Sequence, residues 1–117
     1  MSSSIGDLAR DMWTLREDNE RYKVYDLQIG ARTTLSRTLM NPHQETRGHT
    51  HPHSEIVMIE RGWGLLLTGH KDEPVTMALS AGDVVMIEPG EWHRITTENQ
   101  PLIFTCVFEG SRARNSY

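Results

Sequence analysis

The sequence predicts an all-β fold of the jelly-roll kind, a sandwich or barrel of short strands, on three observations. From residue 21 onward, short apolar segments follow one another with no helical stretch between them. Each is bounded by residues that turns require, and 117 residues leave room for one such domain and no second. Strands that follow each other directly pair antiparallel, and closing the sheet limits its exposed edges.

The segments, about eight in number, are Tyr22 to Ile29, Thr33 to Met40, Glu55 to Ile59, Trp63 to Thr68, Val75 to Leu79, Val84 to Ile87, His93 to Thr97 and Leu102 to Phe108. Between them lie Asn41-Pro42, Arg61-Gly62, Gly69 to Pro74, Ala81-Gly82-Asp83, Pro89-Gly90 and Asn99 to Pro101, all read as turns. Leu102, Phe104, Cys106 and Phe108 alternate and mark a core-facing side. The lone Cys106 cannot form an internal disulfide and reads as a buried thiol. Residues 1–20 form an N-terminal extension in which Ile5, Leu8, Met12 and Leu15 recur at helical spacing, which predicts a short packed helix from Ile5 to about Asn19. Residues 21–110 form the barrel, and residues 111–117 a polar tail.

With a net charge of -4, no apolar run long enough to span a bilayer and no basic cluster beyond Arg112 and Arg114, nucleic acid and membrane are poor partners. A small-molecule substrate is the expected partner. The polar start, Met1 to Gly6, lacks the charged end and apolar run of a secretory signal, so a cytoplasmic location is expected.

Three of the six histidines fall within five residues, in Gly48-His49-Thr50-His51-Pro52-His53-Ser54-Glu55. Side chains alternate across a strand, so His49 and His51 share a face, and Glu55 has the same parity. His93 follows the Pro89-Gly90 turn, at the start of a strand that a barrel would bring opposite the first. Three imidazoles and one carboxylate suit one divalent transition metal, Mn, Fe, Ni, Co or Zn, and leave two positions of an octahedral ion free. Such an ion could polarise a carbonyl or hydroxyl or acidify a bound water.

These two segments resemble the two motifs of the cupin superfamily. Its first motif is matched by His49, His51, Glu55 and Gly62, and its second by Gly82, Pro89-Gly90 and His93. Glu88 stands where the family usually has proline, and Thr97 where it often has asparagine. The resemblance covers residues 33 to 110 and implies a double-stranded β-helix barrel with His49, His51, Glu55 and His93 as metal ligands. The segments Thr46-Arg47-Gly48-His49, Gly62 to Leu67 and Gln100 to Phe104 are further similar to cupin-type glucose-6-phosphate isomerases and sugar-binding cupins. That similarity implies phosphate contacts at Thr46 and Gly48, although Val57 replaces the tyrosine those enzymes carry.

Thr46, Arg47, Gly48 and His53 are therefore the expected substrate-binding residues, with His53 at the pocket mouth or as a substitute ligand. Trp63 and Trp92 read as packing residues, and His43 and His70 as solvent-exposed. The expected function is sugar or keto-acid isomerisation or epimerisation at the metal, with Glu55 or a metal-bound hydroxide as the base. The alternatives are an iron-dependent dioxygenase and a non-catalytic binding protein. A homodimer is expected, with Tyr22 to Ile29 as an exchanged strand or isologous interface.

Overall fold

The computed structural model describes residues 13–110. Its strands are β1 (Thr14–Asp18), β2 (Tyr22–Ile29), β3 (Thr33–Met40), β4 (Glu55–Gly69), β5 (Pro74–Ser80), β6 (Val84–Ile87), β7 (Trp92–Thr96) and β8 (Leu102–Glu109). The path runs β1-β2-β3-β8-β4-β5, with β6 and β7 also on β4, and every pairing is antiparallel. The all-β jelly roll expected from the sequence is the fold observed.

Two elements differ from expectation. Thr14–Asp18, the end of the expected helix, is strand β1, hydrogen-bonded along β2. The helical stripe predicts burial of Leu15, yet Leu15 is 47% exposed. The open ladder of β2 overrides a weak local pattern there. The rest of the expected helix, Ile5 to Met12, and the tail at 111–117 lie outside the described residues.

The second difference is Arg61-Gly62, which is a bulge inside β4 rather than a turn. The register against β8 slips between Ile59 and Arg61, and Gly62 has φ 85°. A Cβ on Gly62 would lie 2.0 Å from the Pro101 carbonyl oxygen, so the position requires glycine. This bulge lets one long strand serve two sheets: the first half of β4 pairs with β8 and β6, the second with β5 and β7.

Alternation then sorts the side chains. Val24, Met40, Val57, Ile59, Leu66, Ile87, Ile95 and the stripe Leu102, Phe104, Cys106 and Phe108 fill the interior. On the outer face, register places Leu27, Leu35, Val107, Ile56 and Met86 side by side across β2, β3, β8, β4 and β6. Strand β2 is flanked by β1 and β3 and so offers no free edge for strand exchange. Among the described residues no helix is long and apolar enough to cross a membrane.

Candidate metal centre

The chain between β3 and β4 runs antiparallel beside β7 without becoming a regular strand. Backbone bonds His43 N–H to Glu98 O, Thr97 N–H to Gln44 O and Thr46 N–H to Ile95 O lay it down. His49 and His93 then exchange both N–H···O bonds, at 3.2 and 3.1 Å. Residues paired this way point to one face, and their ring centroids are 4.4 Å apart. His51, two residues on, returns to that face, with ring centroids 5.4 Å from His49 and 4.8 Å from His93. The Pro89-Gly90 turn holds it there, Gly90 N–H donating to the His51 carbonyl at 2.8 Å. One ring nitrogen of each histidine lies within 4.8 Å of the other two, so the three could hold a metal ion.

Their hydrogen bonds supply a chemical test of that fit. Nδ1 of His49 lies 3.1 Å from the Arg47 carbonyl, Nδ1 of His51 2.9 Å from that of His53, and Nδ1 of His93 3.0 Å from that of Glu91. A carbonyl only accepts, so each Nδ1 carries the hydrogen and each neutral ring keeps its lone pair on Nε2. Fixing the tautomer through the remote nitrogen is how metal-ligating imidazoles are held. Burial lowers the pKa of His93, and the nearby His49 and His51 lower it further. It therefore stays neutral, as a ligand must.

Glu55, the first residue of β4, is 9% exposed, and its Oε1 lies 3.0 Å from His51 Nε2. Burial pushes its pKa up, but the His51 hydrogen bond, the charges of His93 and His51 and a bond from the Cys106 thiol hold it below the ordinary range. For His51, burial pulls down and the Glu55 carboxylate overrides it, so its pKa is raised. The proton shared with Glu55 sits on the nitrogen an ion would use. Proton and ion therefore compete for His51.

The remaining expected site residues divide. Thr46 is buried, and its hydroxyl accepts the Ile95 N–H at 3.0 Å. Gly48 lies under the Trp92 ring, where a Cβ would come within 2.3 Å of Cζ2. Arg47 is exposed and contributes its carbonyl to His49. His53 stacks on His51, with centroids 4.2 Å apart at 5°. His43 and His70 are exposed. Three contributors escaped the sequence reading: Thr97, Cys106 and Phe108. The Thr97 hydroxyl donates to Asn41 O at 2.6 Å and accepts Gln44 N–H at 2.9 Å, stapling the ligand loop to β7. Its place in the second motif was the available signal. Phe108 and Ile87 flank Glu55 across the sheet and make that wall apolar.

The cupin-domain family profile matches residues 36–108. This chain belongs to the cupin family. A search of curated proteins found no match. Among solved structures, an oxalate decarboxylase variant from B. subtilis superposes at TM-score 0.78 and 14% identity, over 89% of this chain and 30% of that one. The oxalate decarboxylase–formate complex from Lactobacillus farciminis gives 0.74 and 17%, over 85% and 31%. This cupin therefore spans about a third of the oxalate decarboxylases it matches. The polyketide cyclase RemF from Streptomyces resistomycificus gives 0.73 and 19%, over 93% and 80%. At these identities the likeness is one of fold.

Proposed function

We propose that this cupin holds one divalent transition metal and moves a proton between adjacent carbons of a small polar substrate, a sugar or keto acid. The observation that carries the reading is the set of three Nδ1–carbonyl bonds, which directs three Nε2 atoms to one face, that of His51 becoming available to an ion when it gives up the proton shared with Glu55. A bound ion would polarise a substrate carbonyl and acidify the neighbouring C–H. His49, His51 and His93 hold it. Glu55 stands beside His51 and is ionised, so it serves as fourth ligand or as proton acceptor. Arg47 and His53 lie beside the ligands on the loop that would meet substrate. The oxalate decarboxylases also act on a small polar molecule.

A second reading, an iron-dependent dioxygenase, draws support from the apolar Ile87 and Phe108 on either side of Glu55. One series of measurements separates the two. Metal content of untagged protein is measured by mass spectrometry beside His49→Ala and His93→Ala. Protein loaded with Mn, Ni, Zn or Fe is then incubated with aldoses, ketoses and 2-keto acids in deuterated water and followed by NMR. Metal lost in both variants, with solvent deuterium entering at the carbon next to a carbonyl, is the expected result. Oxygen uptake by iron-loaded protein without exchange favours the dioxygenase, and metal without either reaction leaves a binding protein. No metal after reconstitution sinks the proposal.

A further inference from the structure

The backbone at His51 is less regular than at the other two ligands, although its carbonyl accepts the Gly90 N–H and its ring nitrogens are bonded, Nδ1 to the His53 carbonyl and Nε2 to Glu55, the second of which an ion would displace. His51 lies between the His49 bridge and the start of β4, where no ladder continues, and is followed by Pro52, which has no N–H to offer. The torsion that turns an imidazole about its Cβ–Cγ bond is soft, so the backbone alone does not fix the ring plane. The ring nevertheless has a flat support. His53 lies parallel to it, at 5° and 4.2 Å, and itself rests on Phe108 at 22° and 5.3 Å. Phe108 is 4% exposed and paired into β8 on both sides, so it is part of the rigid wall. The His53 ring is pinned at its edge by Nδ1, which donates to the Ser54 carbonyl at 3.0 Å.

We infer that His53 is a positioning residue of the metal site: its ring transmits the fixed plane of Phe108 to His51 and holds that ligand ready for a divalent ion. The inference rests on the metal-binding reading above. Metal–ligand distances tolerate about 0.2 Å, so a ring free to tilt forfeits affinity and changes the geometry offered to the ion. The contact needed is a flat face, and phenylalanine supplies one as well as histidine does. The bond from His51 Nδ1 goes to the backbone of residue 53 and survives any substitution there.

The test uses the full chain, stripped with a chelator and titrated with Co²⁺, read by dissociation constant and by the visible d–d spectrum, which reports ligand geometry. His53→Ala and His53→Leu are expected to bind roughly 10- to 100-fold more weakly, with an altered spectrum, and His53→Phe to recover both. The leucine variant preserves the comparison should alanine impair folding, and circular dichroism checks each chain. Wild-type affinity and spectrum in the alanine or leucine variant overturn the inference. So does a phenylalanine variant as weak as alanine, which would mean that a ring nitrogen and not the flat face matters. His49→Ala separates the two failures. If wild type binds Co²⁺ and His49→Ala does not, the site stands whatever residue 53 does; if wild type binds none, both readings fall.

Discussion

Gly48→Ala tests whether the metal site is built by packing between two strands. Gly48 precedes His49, Trp92 precedes His93, and the Trp92 ring covers Gly48 so closely that a Cβ would lie 2.3 Å from Cζ2, 2.6 Å from Cε2 and 2.6 Å from Nε1. Carbon atoms settle at about 3.5 Å, so the ring must retreat by about 1.2 Å. The Arg94 guanidinium lies over the ring, 5.5 Å from its centroid. Overpacking of this kind costs about 1–3 kcal/mol, which for a domain of this size lowers the melting temperature by roughly 5–20 °C. The larger effect falls on binding. A displacement of that size between the residues preceding two ligands exceeds the ~0.2 Å a metal site tolerates, and Co²⁺ affinity should fall at least tenfold, an effect on the order seen when outer-shell partners are lost. Calorimetry and Co²⁺ titration of wild type, Gly48→Ala, Trp92→Ala and the double variant read both quantities. In the Trp92→Ala background, Gly48→Ala should be nearly silent, because the obstructing ring is gone. Unchanged melting and affinity in Gly48→Ala alone, or an undiminished effect in the double variant, would refute packing as the reason for glycine.

Three further outcomes are expected. The coupling between His51 and Glu55 in metal-free protein, measured by a double-mutant cycle with glutamine at both positions, should be largest between pH 4.5 and 6.5. The raised His51 gives stability that is present below 6.5 and lost as pH rises through its folded value; the lowered Glu55 gives stability that is present above 4.5 and lost as pH falls through its folded value. Metal should reverse the upper limb, since the ion competes with the His51 proton and binds better as pH rises; a cycle that is flat across this range refutes the pairing. Gly62→Ala places a side chain at φ 85° against the Pro101 carbonyl and should destabilise by at least about 2 kcal/mol in urea unfolding; a loss of a few tenths would mean that β4 does not depend on this bulge. We propose a homodimer through the partly exposed outer apolar row of Leu35, Val107, Ile56 and Met86, so light scattering should give twice the chain mass and Ile56→Lys should give a monomer. A wild-type monomer at micromolar concentration would end that proposal.

Much of the site was legible because its rules are local. Two-residue alternation suggested a shared face for His49, His51 and Glu55, and the turn residues at Pro89-Gly90 announce the strand that carries His93; the segment is not a regular strand, and its bonds to β7 and to Gly90 are what bring the three histidines together. The same alternation marked Leu102, Phe104, Cys106 and Phe108 as interior, and all four are. The helix drawn through Ile5, Leu8, Met12 and Leu15 failed at its described end because a few apolar residues at helical spacing weigh less than the ladder that β2 offered.

What the sequence determined by itself is the alternating pattern, the places where the chain turns and the kinds of donor atom available for a metal. The tertiary structure decided that Arg61-Gly62 is a bulge through which β4 serves two sheets, that Gly48 is glycine because Trp92 lies over it, and that each ligand Nδ1 finds a carbonyl two residues away. It also decided that His53 leans on Phe108, fifty-five positions further along the chain. Side-chain alternation depends on the geometry of neighbouring residues and can be read along a strand. Contacts such as these depend on which strands the closed sheet brings together, and no local pattern contains that.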